Sequence, residues 1–195
     1  MIFVVKIIYF YKYYMVKISL PFLLLLLTSS LFAQWNVIEK WSNDWSYSLV
    51  ERDGVLYGGC DRGLFRSTDK GHHWQRIDGL SPISQAYDIA FTASGGLYVV
   101  TKFADYELKR SRDLGLTWET LSAPPGHTLI PSLSGGIVSA GEHLFMHNYT
   151  DLFRLHPDSS TWEVVQNTPF KGNCHNIYRF EDALWVATQG NVCYK

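Results

Sequence analysis

Downstream of Ser46 the apolar residues fall into short runs and not into long amphipathic stretches. The first four runs are Ser46–Arg52, Val55–Cys60, Leu64–Ser67 and Trp74–Ile77. β-Branched and aromatic residues fill them. Asp53-Gly54, Asp61-Arg62-Gly63 and the polar octapeptide Ser67 to Trp74 separate them. Brief apolar runs punctuated by Gly and Asp predict β-strands joined by tight turns. After residue 33, no stretch of ten or more residues holds a helical apolar period. The chain is predicted to be all-β.

The four runs recur. Moved on by 88 residues, Leu56-Tyr57 meets Leu144-Phe145 and Gly63-Leu-Phe-Arg66 meets Asp151-Leu-Phe-Arg154, without a gap through to Trp162. A shift of 128 brings Leu49-Val50 onto Ile177-Tyr178, Leu56-Tyr57 onto Leu184-Trp185 and Leu64-Phe65 onto Val192-Cys193. A second repeat lies between, with Ile89-Ala-Phe91, Leu97-Tyr-Val-Val100 and about three extra residues around Phe103 to Tyr106.

Two octapeptides punctuate the repeats. Ser67-Thr-Asp-Lys-Gly-His-His-Trp74 and Ser111-Arg-Asp-Leu-Gly-Leu-Thr-Trp118 share the pattern Ser-x-Asp-x-Gly-x-x-Trp, with tryptophans 44 residues apart. A worn third copy, Leu155 to Trp162, has Pro157 at the Asp position and Ser159 at the Gly position. A period of about 40–45 residues signals stacked four-stranded units. The octapeptide resembles the Asp box, or bacterial neuraminidase repeat, of sialidases, sortilin-type receptors, xyloglucanases and photosystem-assembly propellers. The resemblance implies a β-propeller of four-stranded blades, with about four blades present. It implies no substrate.

Each box residue has a mechanical reason. Gly71 and Gly115 supply the positive φ of a tight turn. The carboxylates of Asp69 and Asp113 accept hydrogen bonds from turn N–H groups, as in Asx turns. Trp74 and Trp118 open the outer strand and cover the hairpin. With Ser67, Ser111 and Trp162 these are expected to be structural residues. In the families resembled, the box sits on the rim, away from the central active face.

The ends of the chain read differently. Lys12 and Lys17 precede the apolar run Ile18 to Leu27, and small residues lead to Ala33 before Gln34. That is the pattern of a secretory signal peptide, too short to span a membrane comfortably. A start at Met15 makes it compact, whereas a start at Met1 leaves an uncleaved anchor as the alternative. Residues 34–195 are then an exported repeat array, periplasmic, cell-surface or secreted. Gln34-Trp-Asn-Val-Ile38 looks like an outer strand, and Asn191 to Lys195 like a third strand with no box after it. Closed rings typically have 4–8 blades. The sequence therefore reads as a propeller truncated at its C-terminus. A four-bladed ring and a ring completed by two chains are the alternatives.

Without residues 1–33, the 17 basic side chains fall by three to 14 against 18 acids, a net charge of −4. No basic patch is visible, which argues against nucleic acid or an anionic lipid surface as partner. Cys60, Cys174 and Cys193 are odd in number and form no Cys-x-x-Cys, so buried strand residues describe them better than a zinc site.

Candidate chemistry is thin. The Arg-Ile-Pro signature of sialidases is absent: Arg76-Ile77 is followed by Asp78, and Arg66 and Arg154 hold equivalent, hence structural, repeat positions. Glycosidases need two carboxylates roughly 5–9.5 Å apart. Asp88 is the one acid placed like those of xyloglucanase-like propellers, while Asp44 and Asp105 fall in predicted loops. His143 and His147 would lie about 13 Å apart on a strand, too far for one metal ion. Loop aromatics are the better binding candidates, with Trp41, Trp45 and Tyr106 foremost. The sequence thus points to an exported, non-catalytic propeller module whose loops bind a protein or glycan, without cofactor or metal. The alternative is part of a secreted glycoside hydrolase of the sialidase-like or xyloglucanase-like type.

Overall fold

The computed structural model describes residues 45–80, 84–124, 136–147, 151–157, 160–166, 174–181, 183–188 and 193–194. The leader, the Gln34–Ile38 run, Trp41, Asp158 and Ser159 lie outside the described residues. Among those described there are strands and no helix. The first sheet comprises β1 (Ser46–Arg52), β2 (Val55–Cys60), β3 (Gly63–Ser67) and β4 (Gln75–Arg76), and the second β5 (Gln85–Phe91), β6 (Leu97–Lys102), β7 (Tyr106–Ser111) and β8 (Glu119–Leu121). The third comprises β9 (Ile137–Ala140), β10 (His143–His147), β11 (Leu152–Leu155) and β12 (Trp162–Val164), and the fourth β13 (Cys174–Phe180), β14 (Ala183–Thr188) and β15 (Cys193–Tyr194). Within each sheet the strands pair in sequence order, all antiparallel. These are blades of a β-propeller. The outer strand of the first is shorter than the Trp74–Ile77 run, beginning one residue after the tryptophan.

Register carries the repeat into three dimensions. Leu56 pairs with Ser67 and Tyr57 with Arg66, and 88 residues on Leu144 pairs with Leu155 and Phe145 with Arg154. Strands three and four are tied by the same cross-strand pair in each of the first three blades. Arg66 Nη2 donates to Gln75 Oε1 (3.4 Å), Arg110 Nε to Glu119 Oε1 (2.5 Å), and Arg154 to Glu163. This accounts for the equivalent arginines: they brace the outer strand.

Each inner strand packs on its neighbours, and the apolar cores lie in the seams between blades. The first seam joins Tyr57, Leu64 and Ile77 to Ile89, Leu97 and Val99. The second joins Tyr98, Val100 and Leu108 to Ile137, Leu144 and Phe153. The third brings Leu152, Val138 and Phe145 to Ile177, Val186 and Cys174. The seams are close: a Cβ on Gly59 of β2 would stand 2.5 Å from the Ala86 carbonyl oxygen of β5. Cys60 and Cys174 are fully buried strand residues, and burial pushes the Cys174 thiol up to about 11.

Candidate functional site

An up-and-down meander has two ends. One carries the hairpin between the first and second strands together with the turn between the third and fourth. The other carries the start of the inner strand and the hairpin between the second and third. The two ends use their residues differently.

The box turns occupy the first end. In the first blade Ser67 Oγ donates to Asp69 Oδ1 (2.8 Å) and accepts from Gly71 N (2.8 Å), while Asp69 Oδ1 also accepts from His73 N (2.9 Å). In the second blade Ser111 Oγ donates to Asp113 Oδ1 (2.7 Å) and accepts from Gly115 N (2.7 Å). Thr117 N donates to the same carboxylate oxygen at 2.8 Å. Gly71 (φ 89°) and Gly115 (φ 97°) lie in the left-handed region, and so do Lys70 (φ 61°) and Leu114 (φ 56°), for which the motif gives no signal. Hydrogen bonds from the His73 backbone and ring hold the Asp69 carboxyl far below the ordinary range. The Thr117 hydroxyl and N–H bring Asp113 down to about 2.

The box tryptophans reach beyond their own hairpins. The Trp118 ring lies against Gly79, on the segment leaving the first blade, and Trp162 Nε1 donates to the Ser122 carbonyl (2.8 Å) leaving the second. Covering the hairpin is therefore only part of their work: the second and third boxes wedge their blades against the preceding ones. Arg110 adds to this by donating from Nη1 to the Pro157 carbonyl (3.2 Å) of the worn third copy.

At the opposite end a bulge near the start of the inner strand recurs in the first, second and fourth sheets, and the first two place a tyrosine there. Register shifts place Tyr47 and Tyr87 at bulges near the starts of β1 and β5. Their rings stack with centroids 4.3 Å apart, and Tyr106 meets Tyr87 edge-on at 5.3 Å. Lys102 Nζ sits 4.9 Å from the Tyr106 centroid. Trp45 and Phe103 lie in segments at the same end, with 74% and 65% of their surface exposed.

Asp61, in the β2–β3 turn, organises this cluster. It accepts from Tyr47 Oη (2.5 Å), Gln85 Nε2 (2.8 Å) and Trp45 N (3.1 Å), and Tyr87 Oη donates to Gln85 Oε1 (3.1 Å). The Tyr47 hydroxyl lowers the Asp61 carboxyl, while burial first and Asp61 second raise the Tyr47 phenol well above its ordinary value. Asp88 lies one residue past the second bulge. Oδ1 accepts from Ser48 Oγ (3.3 Å) and Ile89 N (2.9 Å), and Oδ2 from Gly136 N (2.7 Å) and Ile137 N (2.8 Å). It thus clasps the inner strands of three consecutive blades. Burial pushes its carboxyl up, against four hydrogen bonds that favour the ionised form.

Of the loop aromatics read from sequence, Tyr106 and Trp45 belong to this end, and Trp41 lies outside the described residues. Tyr47, Tyr87, Asp61 and Gln85 were not singled out as site residues. These bulges carry no Gly or other local mark, and the bonds to Asp61 span 14 to 24 residues. Among the described residues, no cluster of His, Cys, Asp and Glu is suited to a metal ion.

The architecture defines the class: the chain is a β-propeller protein. No protein-family model matches it, and no curated protein is significantly similar. Solved structures with the same fold include YCF48 from Cyanidioschyzon merolae, at 13% identity and a TM-score of 0.56 over 78% of this chain and 52% of that one. YCF48 bound to D1 peptide gives 17% identity and 0.56 over 82% and 53%. The computationally designed Ika4 protein gives 7% and 0.55 over 83% and 97%, and the GH74 enzyme of Niastella koreensis 18% and 0.51 over 72% and 20%. The chain spans about half the length of the YCF48 chains. At these identities the likeness is one of fold.

Proposed function

We propose that this protein is an exported, non-catalytic propeller module of the Asp-box type that binds a protein segment on the tyrosine end of its first two blades. The observation that carries the reading is the Tyr47–Tyr87–Tyr106 stack, built from two blades, at the end that also bears exposed Trp45 and Phe103. Aromatic rings held rigid by neighbours give contact area at low entropic cost, the property of interface hot spots. YCF48, a fold neighbour, was solved bound to a peptide. The acids at this end support a binding role over catalysis. Asp61 is committed to Tyr47, Gln85 and Trp45, and all four acceptor positions of Asp88 are filled by donors from three blades. Export rests on the leader alone.

Panning a displayed random-peptide library against the protein tests the reading. Enriched peptides should lose at least tenfold in affinity with Trp45→Ala or Tyr106→Ala, and keep it with Leu116→Ala, an exposed residue of the second box turn. Equal binding to all three variants, or enrichment of no peptide, would refute it.

A further inference from the structure

The three internal seams share one design. Ile89, Ile137 and Ile177 hold the same inner-strand position, and each packs into the core shared with the preceding blade, at 4%, 6% and 5% exposure. Leu49 holds that position in β1 and is 65% exposed. On the other face of the inner strands Val50, Ala90 and Val138 pack into the core shared with the following blade. Their counterpart in β13 is Tyr178, 56% exposed, with Phe180 beyond it at 64%. Trp185 in β14 matches Tyr57 and Tyr98, which are buried against the next blade, yet its buried indole N–H has no acceptor. The two terminal blades therefore present the two halves of a seam that the chain builds three times internally.

We propose that a second copy of this chain covers these faces head to tail, Leu49 of one copy packing against Tyr178, Phe180 and Trp185 of the other. The internal seams show what each half accepts. An inner-strand aliphatic residue meets an aromatic and aliphatic face, and burying both halves removes exposed large apolar side chains from water. Because one chain carries both halves, the contact joins different patches and propagates until it closes.

The test uses purified protein with Leu49→Arg and Tyr178→Asp, substitutions at exposed positions that leave the internal seams intact. Light scattering should give wild type a mass of two or more chains and each variant the mass of one. A one-to-one mixture should regain a two-chain species, because the intact tail of Leu49→Arg meets the intact head of Tyr178→Asp. Leu116→Arg, at a still more exposed position on the second box turn and away from the two terminal faces, should assemble like wild type. Circular dichroism melts check that all variants are folded. A one-chain mass for wild type would overturn the proposal and leave the faces to further blades of the same polypeptide. So would persistent assembly of either variant, or a mixture that stays at one-chain mass.

Discussion

The two ends of the blades spend their carboxylates in opposite ways. At the box end Asp69 and Asp113 accept hydrogen bonds from residues no more than four positions away, and the pattern is copied from one blade to the next. At the tyrosine end Asp61 and Asp88 accept from residues up to 24 and 49 positions away, and neither aspartate recurs in another blade, although Asn176 repeats the Asp88 bond to the following backbone N–H. Local bonds make each turn rigid in itself. Long-range bonds tie several blades into one surface. The difference separates an end built from repeated, self-contained turns from an end whose long-range bonds shape one surface across several blades.

Substitutions at the box end should give the largest losses of stability. Gly115 has a φ of 97°, and a Cβ there would stand 2.5 Å from Ile77 Cγ2 of the preceding blade. Gly115→Ala should cost about 2–4 kcal/mol in urea unfolding, from backbone strain and overpacking together. A cost under about 0.5 kcal/mol would show that the box does not grip the neighbouring blade. Ser111→Ala removes the buried hydroxyl that Gly115 N and Asp113 share and should cost about 1–3 kcal/mol. Peptide binding by the folded fraction should be unchanged in both variants.

Acid sharpens the contrast. Asp113 is lowered to about 2 from an ordinary 3.8. The folded state therefore binds its proton less readily than the unfolded state does. Its contribution is complete above the ordinary value and is lost as pH falls from about 4 towards 2. The carboxylate is exposed, so the contribution is small. Thermal melts should show a shallower decline of stability between pH 4 and 2 in Asp113→Asn than in wild type. Parallel declines would remove Asp113 from the acid response.

Trp45→Ala should have the smallest effect on stability, within about 0.5 kcal/mol, because the ring is largely exposed. A loss above about 1 kcal/mol would make Trp45 a fold residue and weaken the division between the ends.

That division also explains what the sequence revealed. The alternation of short apolar runs, the 44-residue spacing and the box were legible because each is a local or periodic signal. The strands Ser46–Arg52 and Val55–Cys60 fall where the runs place them. Arg66 and Arg154 were recognisable as structural because repetition at fixed spacing implies a repeated contact, and the structure adds Arg110 in the second blade. The tyrosine cluster was hidden although Tyr47 and Tyr87 hold the same repeat position, because nothing local marks the bulges that turn them. Tyr47 and Tyr87 face each other only because bulges turn them, and their partners come from hairpins of two blades. Asp88 stood out in sequence as a possible catalytic acid, but its role as a clasp depends on Gly136 and Ile137 arriving from another blade. Lys70 and Leu114 adopt left-handed φ with side chains that do not advertise it.

The most direct measurement of the central claim is a hydrogen-exchange footprint of a library-selected peptide on the protein. Protection is expected in segments 45–48, 60–63, 85–88 and 102–107, which build the tyrosine end, with segments 69–74 and 113–118 unchanged. Protection confined to the box turns would contradict the account and place the binding surface at the end built from the repeated turns.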